Sequence, residues 1–457
     1  MKTFLAIDIG ASGGRHIVGM LKDGRLTATE VYRFENSVEN VDGRLVWDCD
    51  RLFGEIVNGL KAAGEKGFKP DFVGIDTWAV DYVLLDKSDN PILPVYAYRD
   101  IRGEIAAKEL HDKIPFERLY ERSGIQYQPF NTVYQLYDDL KCGRLEYAET
   151  MLMLPDYFGF LLTGVKKREY TNATSTALVN AETHNWDKEL LKEIGLPEKL
   201  FGELSQPTQK VGKFKKEIAD KVGYDACVVL PATHDTASAV VAAPLEGNCC
   251  YISSGTWSLL GTEQTAVHTD ENSRKYNYSN EGGIDKTFRF QKNITGLWLI
   301  QRVRKELSDR YSFAELAELA RKSRVDVAID VNDPRFLAPK SMISEIESSV
   351  GRKLSVGELA YVIYNSLALC YKKSIEEMEE ITKQNYDGIH IIGGGCNNTF
   401  LNELTSKACN KRVTAGPAES TAIGNLVIQM ISAGELESLK EAREIVKTSF
   451  EVKEVLI

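Results

Sequence analysis

Four short segments of the chain combine glycine, hydroxyl and carboxylate groups in patterns that could bind or transfer a phosphoryl group. They are residues 8–15, 230–239, 253–258 and 391–398. Each lies beside an apolar run, so a strand or a helix would hold it in place. Taken singly, each also fits an ordinary hairpin, turn or helix cap, and the chemical interpretation depends on all four occurring in one chain.

The first segment, residues 8–15, follows an apolar run and is rich in glycine. We predict a turn over residues 10–14, because glycines there would expose backbone N–H groups that can surround a phosphate. Asp8 ends the apolar run and could hold Mg²⁺ directly or through water, since this ion prefers oxygen ligands. The alternative is a tight hairpin with an ordinary turn aspartate.

Two further glycine segments lie in the second half of the chain. Residues 253–258 form a hydroxyl-rich turn that could grip a terminal phosphate, or simply a serine-rich hairpin. Residues 393–395 are three consecutive glycines, which cost backbone entropy and therefore favour a close approach of the backbone to another group. A nucleotide lying on that turn is the functional interpretation. No G-x-x-x-x-G-K-[ST] sequence occurs, which excludes a P-loop enzyme.

The fourth segment places His234, Asp235 and Thr236 directly before a run of small apolar residues that predicts a tightly packed helix. An aspartate at a helix N-terminus is commonly a cap. A carboxylate at this point could instead accept the proton of a hydroxyl group that attacks ATP, the general-base role that phosphotransferases use.

Apolar runs and turn signals place the first segment on an antiparallel meander. Strands are predicted over residues 4–9, 16–21 and 26–34, with a hairpin at Asp23-Gly24. This order argues against a dinucleotide-binding unit, in which a helix follows the first strand.

A similar strand–turn–strand pattern begins again near residue 245, which indicates two related halves. At 457 residues the chain is also too long for one ordinary core. We predict two domains, 1–244 and 245–457, each an α/β unit of the ribonuclease H-like (actin/hexokinase) type, with a nucleotide cleft between them.

Composition narrows the class of protein further. A net charge of −10 argues against nucleic acid as the main partner. No apolar run approaches the length of a membrane span, and the first residues lack a signal-peptide pattern. The eight scattered cysteines favour reduced thiols in a cytoplasmic protein over disulfides or zinc. Whether the protein is a monomer or a homodimer is left open.

Together these motifs resemble the FGGY family of carbohydrate kinases. The matching stretches are residues 6–12, 154–157, 162–164, 170–175, 186–187, 393–395 and 416–419, which span nearly the whole chain in the expected order. Residues 74–81, 98–100 and 233–240 resemble the branch of the family that phosphorylates L-rhamnulose at its 1-hydroxyl group.

The resemblance implies ATP and Mg²⁺ as cofactors and a small sugar as the acceptor. It makes Asp235 the catalytic base and Asp8 the metal ligand. The implied ATP-binding residues are Ala11, Ser12, Gly13, Gly14, Arg15, Thr256, Gln301, Gly394 and Gly395, and the implied sugar contacts are Trp78, Ala79, His234, Asp235, Thr236 and Asn293. Ala79 departs from the family pattern, which usually has glycine there, and the added methyl group could narrow the sugar pocket.

Three other functions are compatible with parts of the sequence. The chain could be an FGGY kinase for another ketose, such as L-fuculose or D-xylulose. It could be a non-catalytic sensor of sugar or nucleotide, which the presence of both Asp8 and Asp235 disfavours because a sensor needs no base. It could also be a chaperone-type or filament-forming ATPase, which the His234-Asp235-Thr236 triplet disfavours.

Overall fold

A computed structural model of the chain describes residues 1–455 as a mixed α/β protein. The chain forms two compact units. The first comprises residues 1–242, 263–290 and 421–449, and the second comprises residues 243–262, 291–420 and the segment that begins at Phe450. Two segments that follow residue 244 therefore belong to the first unit. The division into domains 1–244 and 245–457 remains a prediction.

The strands are β1 (Phe4–Gly10), β2 (Gly13–Lys22), β3 (Arg25–Glu35), β4 (Glu39–Val41), β5 (Arg44–Trp47), β6 (Phe72–Thr77), β7 (Tyr82–Leu85), β8 (Val95–Tyr96), β9 (Thr150–Met153), β10 (Val179–Asn180), β11 (Asn185–Trp186), β12 (Lys210–Lys213), β13 (Cys227–Val229), β14 (Cys249–Ser254), β15 (Trp257–Gln264), β16 (Ser279–Gly282), β17 (Phe288–Thr295), β18 (Gly388–Ile392), β19 (Arg412–Ala415) and β20 (Lys453–Glu454).

The helices are α1 (Cys49–Glu65), α2 (Arg102–His111), α3 (Phe116–Ser123), α4 (Thr132–Lys141), α5 (Leu154–Thr163), α6 (Tyr170–Thr174), α7 (Lys188–Ile194), α8 (Lys216–Val222), α9 (Asp235–Val241), α10 (Glu271–Lys275), α11 (Trp298–Glu306), α12 (Phe313–Lys322), α13 (Met342–Val350), α14 (Val356–Thr382), α15 (Thr399–Cys409), α16 (Ser420–Ser432) and α17 (Leu439–Ser449). Short 3₁₀ turns lie at Arg144–Glu146, Glu198–Leu200, Ile284–Lys286, Pro334–Phe336 and Gly394–Asn397.

The main sheet of the first unit has the strand order β12-β13-β6-β1-β2-β3. Strand β2 is antiparallel to both β1 and β3, which confirms the predicted meander. Strand β1 is parallel to β6 on its other side. Its side chains are buried on both faces except at its last residue, as expected for a central strand covered on each side. Such a strand gives the groups at its carboxyl end a rigid support.

The sheet of the second unit repeats this arrangement. Its seven strands follow the order β16-β17-β15-β14-β18-β19-β20, with β14 antiparallel to β15 and parallel to β18, and β18 parallel to β19. Strands β17, β15, β14, β18 and β19 correspond one by one to β3, β2, β1, β6 and β13 of the first sheet. The shared order bears out the prediction of two related halves.

Helix α14 is the longest helix within residues 1–455. The Ser355 side chain accepts a hydrogen bond from the N–H of Glu358, and the Ser355 N–H donates to the Glu358 carboxylate, so a capping box starts the helix. Neither this helix nor any other within residues 1–455 is both long and apolar enough to cross a membrane.

Candidate active site

The first glycine segment is a tight hairpin. Gly10 pairs with Gly13 across it, so only Ala11 and Ser12 form the turn. Strand β2 therefore begins at Gly13 rather than at His16, and the predicted turn over residues 10–14 is wrong at its far end. The reason is that glycine, although common in turns, can also continue a strand where another strand lies close.

Gly13 and Gly14 are needed for packing against strand β3. A Cβ atom on Gly13 would lie 2.8 Å from the Phe34 carbonyl oxygen, and one on Gly14 would lie 2.3 Å from the Phe34 ring. Beside this hairpin is a cavity of about 570 Å³, within the range of small-molecule sites. Its lining residues are Asp8, Gly10, Ser12, Gly13, Gly14, Arg15, Arg33, Phe34 and Glu35.

Asp8 and Arg15 are directly opposite each other in the β1–β2 pair and form an ion pair. The Nε and Nη2 atoms of Arg15 lie 3.0 and 2.9 Å from Oδ2 of Asp8. Oδ1 of Asp8 accepts no hydrogen bond from the residues that the structure describes. The predicted metal ligand therefore keeps one available oxygen, the atom type that Mg²⁺ prefers.

Asp8 would be a partial site for a cation, not a complete one. Within residues 1–455, no group of three or more His, Cys, Asp or Glu side chains is arranged to hold a metal ion. The Asp8 carboxylate fits Mg²⁺ because this ion commonly keeps several waters and takes only one or two carboxylates from the protein, with substrate phosphates as further ligands.

A second carboxylate, Asp76, lies beside Asp8 and was not predicted as a site residue. The parallel register of β1 and β6 pairs the two residues. Asp76 is fully buried, its Oδ2 accepts a hydrogen bond of 2.5 Å from Nδ2 of Asn425, and its Oδ1 has no partner in the described chain. Burial, followed by the charge of Asp8, raises the pKa of Asp76 well above its ordinary value.

Asp235, the predicted base, is the first residue of α9. The N–H of Thr77 donates to the carbonyl of Thr233 at 2.9 Å, which ties the start of α9 to the end of β6 and brings Asp235 near Asp8. The pKa of Asp235 is raised because the group is withdrawn from water, with a smaller contribution from the charge of Asp8, while His234 lowers it.

The two oxygens of Asp235 differ sharply. Oδ1 accepts hydrogen bonds from the N–H and Oγ1 of Thr236 at 2.5 and 3.2 Å, and Nε2 of His234 lies 3.3 Å away. Oδ2 accepts none from the described residues, and 33% of the side-chain surface is exposed. One oxygen is thus fixed by the protein, and the other is available to a hydroxyl group.

Two residues behind His234 were also missed by the sequence reasoning. Nδ1 of His234 lies 3.1 Å from Oε2 of Glu281 and 3.2 Å from Nη2 of Arg289. Both ring nitrogens of His234 therefore face protein side chains, so its role as a sugar contact remains a prediction. No local pattern marks Glu281 or Arg289, because they come to His234 from strands β16 and β17.

Trp78 and Ala79 occupy the loop after β6. Trp78 is buried, packs against Trp47 with ring centroids 4.3 Å apart and ring planes tilted by 42°, and donates its indole N–H to Asp81 at 2.8 Å. Burial raises the pKa of Asp81 to about 6, although the hydrogen bonds that the indole N–H groups of Trp78 and Trp47 donate to it lower the pKa. Ala79 is half-buried and precedes Val80, whose φ of 70° lies in the left-handed region.

The remaining candidates lie in the second unit. Oγ1 of Thr256 is 3.3 Å from Oε1 of Gln301, so these two predicted ATP-binding residues are neighbours. A Cβ atom on Gly395 would lie 2.0 Å from Oγ of Ser254, so this glycine is required by packing. Gly394 is exposed, and a Cβ atom there would meet nothing within 4 Å.

Asn293 lies on strand β17 in the same unit. The structure therefore gives the candidates in two local sets. Asp8, residues 11–15, Trp78, Ala79 and residues 234–236 belong to the first unit, and Asn293, Thr256, Gln301, Gly394 and Gly395 belong to the second.

Comparison with protein families identifies the framework. The model of the FGGY family of carbohydrate kinases, N-terminal domain, matches residues 3–242, and the C-terminal domain model matches residues 250–433. The chain belongs to the FGGY family of carbohydrate kinases. It is an enzyme that uses ATP as a substrate, with a small sugar as the second small-molecule partner.

Several relatives of this FGGY kinase align over nearly its full length. It is 47% identical over 460 residues to the rhamnulokinase of Halalkalibacterium halodurans, covering 99% of this chain and 98% of that relative. It is 43% identical over 458 residues to the rhamnulokinase of Bacillus subtilis, covering 98% of this chain and 94% of that relative.

Solved structures agree on the fold of the FGGY kinase. A ligand-bound xylulose kinase from Lactobacillus acidophilus superposes with a TM-score of 0.82 at 15% identity, covering 99% of this chain and 93% of the other. Plasmodium falciparum glycerol kinase with ADP gives a TM-score of 0.78 at 14% identity, covering 99% and 94%. At such low identity these matches concern the fold alone, and they confirm the predicted α/β fold class.

Proposed function

We propose that this FGGY kinase transfers the γ-phosphoryl group of ATP to the 1-hydroxyl group of L-rhamnulose, giving L-rhamnulose 1-phosphate and ADP. The reaction type is supported by the Asp235 side chain, which is 33% exposed and whose Oδ2 accepts no hydrogen bond from the described residues. The choice of sugar is supported by relatives named rhamnulokinase at 41–47% identity.

Asp235 acts as the general base. Its Oδ1 is held by Thr236, so Oδ2 accepts the proton of the sugar hydroxyl as that oxygen attacks the γ-phosphorus. A raised pKa favours this role, because a base is most effective when its pKa lies nearer the working pH. The adjacent His234 opposes this shift and so favours the ionised form that accepts the proton.

The predicted ATP-binding residues fall into two sets, one in each unit, and we assign a different part of ATP to each set. The backbone N–H groups of residues 11–15 bind phosphate oxygens beside the cavity next to the hairpin. Thr256, Gln301, Gly394 and Gly395 of the second unit bind the rest of the nucleotide. The open face of Gly394 supports this assignment, because no protein group covers it.

We assign Mg²⁺ to Asp8, through its available Oδ1. When bound, the ion supplies positive charge that neutralises the phosphate oxygens during transfer. Arg15 holds Oδ2 of Asp8 and so fixes the direction of the other oxygen. The enzyme is proposed to act in the cytoplasm, where ATP is available.

Ala79 and Trp78 are assigned to the sugar side, together with His234, Thr236 and Asn293. Trp78 is held by Asp81 and Trp47, so its contribution is a fixed apolar wall and not a mobile contact. Ala79 adds one methyl group where the family usually has glycine, which would trim the pocket without changing the chemistry. An FGGY kinase for another ketose is not favoured by the relatives.

The test is ADP release with MgATP against L-rhamnulose, L-fuculose, D-xylulose, L-ribulose and glycerol, with Asp235→Asn as the inactive control. We expect kcat/KM to be highest for L-rhamnulose and activity to be lost in the variant for every sugar. A different preferred ketose would overturn the assigned substrate but keep the base. ATP turnover that no sugar stimulates would overturn the kinase reaction itself.

A further inference from the structure

Behind the proposed base lies a buried group of three charged or titratable side chains. Nη2 of Arg289 is 3.0 Å from Oε2 of Glu281 and 3.2 Å from Nδ1 of His234, and the last two atoms are 3.1 Å apart. All three side chains are buried, with Arg289 only 1% exposed. The third corner of this triangle, His234, reaches Asp235 through its other nitrogen.

The chemistry of arginine restricts the tautomer of His234. A guanidinium group has only donors and keeps its charge at every relevant pH. The hydrogen bond between Arg289 and Nδ1 therefore requires Nδ1 to carry the lone pair. When the ring carries one proton, that proton then lies on Nε2, which is 3.3 Å from Oδ1 of Asp235. An N–H group thus faces the carboxylate of the base.

The opposite tautomer would harm the base. If Nδ1 carried the proton and donated it to Glu281, the lone pair of Nε2 would face the ionised Oδ1 of Asp235. Two acceptors would then be in contact, which disfavours the charged carboxylate. Glu281 and Arg289 thus compete for the same nitrogen of His234, with opposite consequences for Asp235.

We propose that Arg289 is a positioning residue that fixes the Nε2–H tautomer of His234, so that His234 donates to Oδ1 of Asp235 and leaves Oδ2 for the sugar hydroxyl. Glu281 balances the charge of Arg289 and holds its guanidinium in place. This role rests on the proposed function of Asp235 as the base. It explains why a fully buried arginine lies so close to a histidine that is itself next to the catalytic carboxylate.

Other groups around Asp235 contribute to its protonation and are unchanged by Arg289. From the neighbouring elements they are Asp8 on β1, Asp76 on β6 and Tyr98 in the loop after β8. The negative charge of Asp8 raises the pKa of Asp235, whereas His234 lowers it. An N–H group that faces a carboxylate favours its ionised form, so loss of the Nε2–H group raises the pKa of Asp235. Activity, which needs the ionised form, is then lost at a higher pH as the solution is acidified.

The experiment compares the pH dependence of kcat/KM for L-rhamnulose at saturating MgATP. Arg289→Met should move the acid limb of the profile upward by about one pH unit, since one charge-assisted hydrogen bond shifts a carboxyl pKa by about that amount. The double variant Arg289→Met/Glu281→Gln should return the limb toward the wild-type position. Its new amide N–H can donate to Nδ1 of His234.

A purely structural role for Arg289 predicts a different result, in which the double variant is at least as impaired as the single one and the acid limb does not move. Either finding in a folded variant would overturn the inference. If Arg289→Met does not fold, ¹⁵N NMR of the His234 ring in the wild-type enzyme decides, with the signal identified by its loss in His234→Asn. A protonated Nδ1 would overturn the inference, and an unprotonated Nδ1 with a protonated Nε2 would support it.

The ring measurement also separates this inference from the proposed function. If Asp235→Asn remained fully active, Asp235 would not be the base, yet the tautomer of His234 would still be read directly from its nitrogens. If Asp235→Asn were inactive and Nδ1 protonated, the base would stand and the role of Arg289 would fall.

Discussion

Asp235 and Asp76 are two carboxylates of the same unit with opposite surroundings. Three donor atoms lie within 3.3 Å of Oδ1 of Asp235, while its Oδ2 is accessible. Within residues 1–455, Asp76 receives one hydrogen bond, from Asn425, and its other oxygen is enclosed without a partner. In both residues the pKa is raised chiefly by loss of water.

Because the pKa is raised in both Asp235 and Asp76, a raised pKa does not by itself identify a catalytic base. What separates the two is whether the oxygen that the protein leaves unbonded can be reached by a substrate. Asp76 meets the electrostatic criterion and fails the geometric one, so we interpret it as a neutral structural acid beside Asp8. Substitutions can test whether Asp235 is catalytic and Asp76 structural.

The largest effect is expected from replacing each carboxylate by its amide. Asp235→Asn should lower kcat by about 10²- to 10⁴-fold, because it removes the proton acceptor and little volume. Asp76→Asn should leave kcat within about twofold, since it removes no group that reaches the substrate. Steady-state ADP release measures both, with calorimetric ATP binding to show that the sites are intact. Equal losses in the two variants would erase the distinction.

The sequence predicts local features of this site well. The strand that contains Asp8 and the helix that begins at Asp235 follow from apolar runs and turn signals within a few residues. The sequence does not show why the glycines are needed. Gly14 lies against Phe34 and Gly395 against Ser254, and only the folded chain brings these residues close. Glycine patterns indicate close approach but do not say to what.

Long-range partners could not be predicted, with one exception. Arg289 and Glu281 reach His234 through the sheet, and no local pattern records that contact. Asp76 did leave a signal. The run Phe72-Val73-Gly74-Ile75-Asp76 repeats the spacing of Phe4-Leu5-Ala6-Ile7-Asp8, and parallel pairing of two such runs places their aspartates side by side.

An intermediate effect is expected when Asp76 loses its donor. Nδ2 of Asn425 bonds both Asp76 and the carbonyl of Gly74, and its Oδ1 accepts from Gln429. Asn425→Ala should lower the free energy of unfolding by about 2–4 kcal/mol, because it leaves buried polar groups unsatisfied. Urea unfolding measures the loss. Asn58→Ala, on the exposed face of α1, is the matched control, and an equal effect in both would contradict the structural role of Asp76.

The smallest effect concerns the pH dependence that Asp76 gives to stability. Its folded pKa is raised, so the folded state retains a proton that the unfolded chain releases above about pH 4. The free energy of unfolding of the wild type should therefore fall as pH rises from 4 towards the folded pKa. Asp76→Asn has no such proton, and its stability relative to the wild type should increase between pH 4 and pH 7.

Thermal unfolding across this range provides the measurement, and Asp326→Asn is the control because Asp326 is exposed. The control should run parallel to the wild type, since replacing the exposed Asp326 changes no buried group. An Asp76→Asn curve that also ran parallel would mean that Asp76 is ionised in the folded protein. Its negative charge would then add to that of Asp8, and the two would have to be treated as a joint cation site instead of one ligand beside a neutral acid.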